Sequence, residues 1–185
     1  MTLKSKQNKI LEEIAYILSQ VQEDQVENLL EAIGQANNIV TLGAGRVGMS
    51  AKGFAMRLGH LGLKAYHIGD TTLPNLKAGD LLLVASGSGE TQSIFYLVEI
   101  AKKKSVNIAL VTGNPDSRIG KLSDTVVHIK APSKVKVIEG FNSIQPMTTL
   151  NEQCLGIFFD ALVLLLMEKM NESHDTMLAR HSNLE

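Results

Sequence analysis

Two rhythms of apolar and polar positions follow one another along this chain. At the start, Ile10, Leu11, Ile14, Ile17 and Leu18, then Val26, Leu29, Leu30 and Ile33, recur at three- and four-residue spacing. That period belongs to amphipathic helices, and Gly34 falls near the end of the second one. Both precede any strand, so they are expected to pack across a sheet or against another subunit. From residue 38 the rhythm shortens. Apolar runs at 38–42, 64–68, 81–85, 106–111 and 125–129 read as strands. Between them lie helical segments, one carrying Ala51, Phe54, Ala55, Leu58 and Leu61 and closed by Gly62, another from Ile94 to about Lys104. Asn114-Pro115-Asp116-Ser117 reads as a turn and helix cap, and a last apolar helix spans about 148–170. Strands alternating with helices predict an α/β fold, a three-layer αβα sandwich around a five-stranded parallel sheet. No repeat or linker divides the chain. One domain over 1–185 is expected, with N-terminal helices in 1–36 and a polar tail at 172–185 that docks near the functional site.

One loop stands out. Ser86-Gly87-Ser88-Gly89-Glu90-Thr91 joins the third strand to the helix that follows. A helix starting there has backbone N–H groups without intrahelical partners and partial positive charge at that end. Two glycines let the chain turn sharply and approach a ligand, and Ser86, Ser88 and Thr91 add hydroxyls. Such a loop holds a phosphate dianion without metal or lysine. A single N-cap needs only one hydroxyl, so capping alone does not account for it. In an open parallel sheet, ligands collect at the carboxyl ends of the strands, where this loop and the Gly43-Ala44-Gly45-Arg46 loop both lie.

Composition narrows the partners. Hydrophobic residues make up 44% and charged residues 20%, which suits a globular core rather than a disordered chain. The net charge of −1 and scattered lysines argue against nucleic acid. The run Lys102-Lys103-Lys104 reads as a solvated helix end. The one cysteine, Cys154, lies in an apolar helical stretch and reads as core; the five histidines show no metal-ligand spacing with it. The segment 1–7 lacks a signal-peptide core, and the apolar run 155–167 is short of the ~20 residues that span a bilayer. A cytoplasmic, reduced, soluble protein that binds neither metal nor membrane is expected.

The first glycine loop offers a rival reading. Gly43, Gly45 and Gly48 fit G-x-G-x-x-G, with Asp70 near the end of the second strand as a ribose-binding acid. A dinucleotide there leaves the 86–91 loop without a role and provides no second domain for a hydride acceptor. Neither loop continues as the Gly-Lys-Ser/Thr of a Walker loop, and position 86 is Ser where the G-x-S-x-G hydrolase elbow requires Gly.

Two glycine loops after parallel strands resemble the sugar isomerase (SIS) domain, a flavodoxin-like fold. Gly43-Ala44-Gly45-Arg46, Ala55-Met56-Arg57-Leu58, His60-Leu61-Gly62, Gln145-Pro146-Met147, Glu152-Gln153 and the ending His181-x-Asn183-Leu184-Glu185 resemble the 6-phospho-3-hexuloisomerase family. The resemblance runs from about residue 39 to the C-terminus. It implies interconversion of arabino-3-hexulose 6-phosphate and fructose 6-phosphate in ribulose monophosphate formaldehyde fixation, without a cofactor, by a homotetramer with sites near subunit contacts. Val47 stands where the family pattern has Ser, Asp70 where it has Glu, Leu73 where it has Thr, and Asn151 where it has an aromatic. Ser50, one helical turn beyond Val47, carries a substitute hydroxyl.

Such a reaction needs a base beside a carbon bearing hydrogen and hydroxyl. Glu152, near the start of an apolar helix, is the candidate; by resemblance to wider SIS domains that helix supplies the base. His181 in the polar tail is the candidate proton shuttle, with His60 second. Gly45, Arg46, Ser86, Gly87, Ser88 and Thr91 are the candidate substrate and phosphate ligands. Two other readings stay open: an aldose–ketose isomerase for another phosphosugar, and a non-catalytic phosphosugar-binding module.

Overall fold

The computed structural model describes residues 2–133, 138 and 140–184. Residues 1, 134–137 and 139, and Glu185 of the tail motif, lie outside them. Helices α1 (Leu3–Leu18) and α2 (Glu23–Gln35) lead into strand β1 (Ile39–Leu42), followed by α3 (Gly45–His60) and β2 (Ala65–His67). Then come β3 (Leu81–Ala85), α4 (Gln92–Lys103), β4 (Asn107–Thr112), β5 (Thr125–His128), α5 (Thr149–Met170) and the short α6 (His174–Leu178). All five strands are parallel, in the order β2-β1-β3-β4-β5.

The central strands are unbroken apolar runs because both faces are covered. β1 and β3 are buried along their whole length, and β4 at every residue but Asn107. Alternate side chains therefore enter two cores. Leu81, Leu83, Ala85, Ala109 and Val111 meet α1, α2, α3 and α5 on one face. Leu82, Val84, Ile108 and Leu110 meet Ile94, Val98 and Ala101 of α4 on the other. Truncating a fully buried leucine such as Leu83 to alanine removes roughly 2–5 kcal/mol.

The N-terminal helices divide their roles, α2 lying along β5 and α1 along α5. Among the described residues α5 is the one helix long and apolar enough to cross a bilayer. Its length exceeds the apolar run legible in the sequence, and it serves as a core helix, with Cys154, Leu155 and Leu162 fully buried. Burial pushes the Cys154 thiol up to about 12, so it is an inert packing group. After β4 the expected helix cap does not start an α-helix. Ser117 Oγ accepts from Gly120 N, and a single 3-10 turn over Gly120–Leu122 follows.

Strand order reverses direction between β1 and β3. The loops leaving their carboxyl ends diverge there and open a crevice. Every functional feature described below grows from that switch point.

Candidate active site

Two loops and one helix end meet at the crevice. The first loop leaves β1 at Gly43, where a side chain would strike the backbone of Gly48; Gly48 in turn lies on the Gly43 carbonyl. This contact presses α3 against the strand, and Gly45 at φ +59 begins the helix. The glycine pattern is thus used for close packing. Asp70 accepts the His67 backbone N–H at 2.8 Å and faces Lys52, closing the turn after β2 rather than reaching the crevice. That arrangement removes the acid a dinucleotide site needs.

The second loop organises itself with its own hydroxyls. Ser86 Oγ accepts from Gly89 N at 3.1 Å, and Ser88 Oγ accepts from Glu90 N at 3.2 Å. Each hydroxyl uses a lone pair in this way and keeps its O–H free to donate outward. Thr91 occupies the N-cap of α4 but makes no side-chain cap bond, so its hydroxyl is also available. Gly89 at φ +65 shapes the turn. Glu90 would oppose an anion here, yet its carboxylate faces away. Arg118 holds it through backbone N at 2.9 Å and Nε at 2.7 Å, which lowers its pKa. The same guanidinium lies 4.5 Å over the Phe95 ring.

Helix α5 begins across the crevice. Thr148 Oγ1 donates to Glu152 Oε1 at 2.8 Å, and Arg46 Nη1 lies 3.2 Å from Glu152 Oε2. Glu152 is largely buried at 16% side-chain exposure, whereas Arg46 is 55% exposed and free to swing. The stretch leading into α5 is fixed from a distance. Glu13 on α1, buried, accepts from Ser143 Oγ at 2.7 Å, Ile144 N at 2.9 Å and Gln145 Nε2 at 3.1 Å. Burial pushes that carboxyl up, but these three bonds, with Lys9 nearby, outweigh it and hold it below the ordinary value.

A cavity of about 250 Å³ results. Gly45, Arg46, Ser86, Gly87, Ser88, Thr91 and Glu152, all singled out in the sequence, line it together. Thr148, Val47 and Asn151 line it as well. Ser50 does not: its hydroxyl donates to the Arg46 carbonyl and faces Gly156 of α5. His181 also lies apart. The tail docks at the far end of α3, where Arg180 donates to the His60 carbonyl at 2.9 Å and pairs with Glu172. The His181 and His60 rings stand 5.1 Å apart there. The fourteen residue-to-residue steps from Arg46 to His60 set this end roughly 21 Å from the cavity. The functional residues that sequence reading missed are Arg118, Thr148 and Glu13. Each acts through a partner remote in sequence or through a backbone turn, and only the T-x-x-x-E spacing of Thr148 and Glu152 offered a local signal.

This sheet, with its hydroxyl-rich loop facing a carboxylate, lies in a stretch that the SIS domain family model matches, residues 32–155, and the chain belongs to that family. The likeness to individual proteins extends further. The chain is 39% identical over 177 residues to the 3-hexulose-6-phosphate isomerase of Bacillus subtilis, covering 96% of each. It is 40% identical to that of Mycobacterium gastri, over 95% of this chain and 88% of the relative. A solved Methanococcus jannaschii protein, described as inferring a molecular function of 3-hexulose-6-phosphate isomerase, superposes with a TM-score of 0.85. It is 28% identical, over 98% of this chain and 99% of that one.

Proposed function

We propose that the chain is a cofactor-independent isomerase that interconverts D-arabino-hex-3-ulose 6-phosphate and D-fructose 6-phosphate through a 2,3-enediolate. The observation that carries this reading is a largely buried carboxylate, Glu152, facing a phosphate-type loop across one cavity, in a chain similar over its length to 3-hexulose-6-phosphate isomerases.

The loop hydroxyls of Ser86, Ser88 and Thr91, with the free N–H groups at the start of α4, bind the phosphoryl group. Gripping that remote end fixes the reacting carbons against Glu152 and lowers the barrier through binding energy. Glu152 takes the proton from C2 of the 3-ketose, and the C2–H electron pair forms the C2=C3 bond while the C3 oxygen becomes an enediolate. Arg46 leaves Glu152 and stabilises the negative oxygen. Glu152 then returns the proton at C3 as the C2 hydroxyl loses its own and becomes the carbonyl. His181, delivered from a neighbouring subunit, shuttles the hydroxyl proton.

Self-association belongs to the same proposal. Met49 and Met56 on α3, and Ile157, Leu164 and Leu165 on the adjoining α5, expose apolar side chains on two packed helices. A homotetramer covers them and brings the tail to a partner's cavity. The reaction serves formaldehyde fixation by the ribulose monophosphate route in the cytoplasm. One observation favours a second reading, an aldose–ketose isomerase for a different phosphosugar: Val47 puts an apolar group in the cavity wall where the family pattern has Ser. The test is incubation of the protein with fructose 6-phosphate followed by carbon NMR. The 3-ketose 6-phosphate is expected to appear. An aldose product supports the second reading, and no conversion refutes both.

A further inference from the structure

One buried side chain in the cavity wall has no hydrogen-bond partner among the described residues. Asn151 stands in the first turn of α5, one residue before Glu152, and is 1% exposed. Neither its carboxamide oxygen nor its nitrogen has a hydrogen-bond partner among the described residues. Its surroundings explain why. The amide lies against Gly87, where an added methyl carbon would fall 2.6 Å from Oδ1, and beside Gly113, where one would fall 3.5 Å from Nδ2. The Gly87 carbonyl already accepts from Gly113 N at 3.0 Å. A buried carboxamide with both functions empty is costly, and native proteins satisfy nearly all such groups.

The geometry points to Asn151 as a substrate-contacting residue that selects a phosphorylated sugar over a phosphate ester without a hydroxyl. The inference rests on the reading of the cavity as a sugar-phosphate site. The dianion of a simple phosphate monoester such as methyl phosphate offers only acceptors, so it answers Nδ2 and leaves Oδ1 empty. A sugar phosphate offers an acceptor on the ester and, one carbon away, a hydroxyl that donates. That pair satisfies both ends of one carboxamide. Asn151 occupies the place where the two meet, between Gly87 of the phosphate loop and the Thr148–Glu152 wall. At Gly87 no side chain stands over the amide.

The test is Asn151→Leu, which keeps the branched shape and removes both polar atoms. Binding of fructose 6-phosphate and of methyl phosphate is measured by titration calorimetry, alongside thermal unfolding of the unliganded protein. Fructose 6-phosphate is expected to bind about 10- to 100-fold more weakly, while methyl phosphate changes less than about threefold. The unliganded Tm holds or rises, because a buried unpaired amide is gone. Unchanged fructose 6-phosphate affinity overturns the inference, as does an equal loss for both ligands. A fall in unliganded Tm beyond about 5 °C makes Asn151 a structural residue instead. If Asn151→Leu does not fold, Asn151→Ser serves: too short to meet both groups, it weakens fructose 6-phosphate about tenfold, and full affinity overturns the inference. The unaltered protein is titrated first. Its failure to bind fructose 6-phosphate would remove the sugar-phosphate reading itself, whereas failure of the variants alone removes only the role of Asn151.

Discussion

Replacing Glu152 with Gln separates chemistry from architecture, because the two effects differ greatly in size. The amide keeps an oxygen for the Thr148 hydroxyl, 2.8 Å away, so that bond survives. What is lost structurally is the ion pair with Arg46. That guanidinium is 55% exposed, and a pair so solvated contributes about 0.2–1 kcal/mol. In a chain of this length such a loss lowers Tm by no more than about 4 °C. Catalytically the change is far larger. Positioned acid–base groups contribute roughly 10²–10⁴ in rate, and a carboxamide cannot accept the C2 proton. A loss of about 10³ in kcat corresponds to roughly 4 kcal/mol of barrier, several times the stability effect. Binding moves the other way: Arg46 is released from its partner, and a negative charge leaves the cavity. Fructose 6-phosphate is therefore expected to bind as tightly as before, or more tightly. The assay compares turnover by NMR, affinity by calorimetry and Tm by scanning calorimetry on both proteins. A kcat within tenfold of the parent refutes the base assignment. Loss of fructose 6-phosphate binding by a well-folded variant refutes the division of labour between loop and carboxylate.

Three further outcomes follow from the same geometry. Gly89→Ala forces a side chain onto a backbone at φ +65 and into the Ser117 hydroxyl, so phosphate and fructose 6-phosphate affinity, measured by calorimetry, should both fall at least about tenfold. Glu13 has a folded pKa below its ordinary 4.5, so its contribution to stability is present above that value and is lost as pH falls through the depressed one. Denaturant unfolding of Glu13→Gln against pH should therefore show a shallower acid decline than the parent, and an identical decline contradicts the anchoring role. Leu164→Lys puts a charge on the exposed α5 ridge, where Leu164 is 62% exposed; light scattering should show smaller assemblies with little change in the Tm of the subunit.

Much of this architecture can be read from the chain because burial writes itself locally. Strands such as Leu81–Ala85 are sealed on both faces and must be apolar throughout, and the loop that follows carries its glycines and hydroxyls in one run. Strand ends differ by a residue from the apolar runs, as at Asn38 and Ile129, each of which still makes one backbone bond to the neighbouring strand. Long-range pairings left no such trace. Arg118 locks Glu90 across 28 residues, and Glu13 reaches Ser143 across 130. Nothing in either local pattern marks the partner. Asn151 was visible only as a departure from a family pattern; its empty carboxamide emerges once Gly87 and Gly113 are placed beside it. The tail behaved differently again. Its polarity suggested docking, and it docks on its own chain through Arg180, at the end of α3 remote from the cavity.

Proton abstraction at a carbon held by a phosphate clasp is the core of this account, and isotope exchange reads it directly. The protein is equilibrated with fructose 6-phosphate in heavy water, and the recovered 2-ketose is analysed by NMR. Deuterium at carbon 3, absent when Glu152→Gln replaces the parent protein, is the predicted result. Label confined to carbon 1, or no label at all, would contradict it.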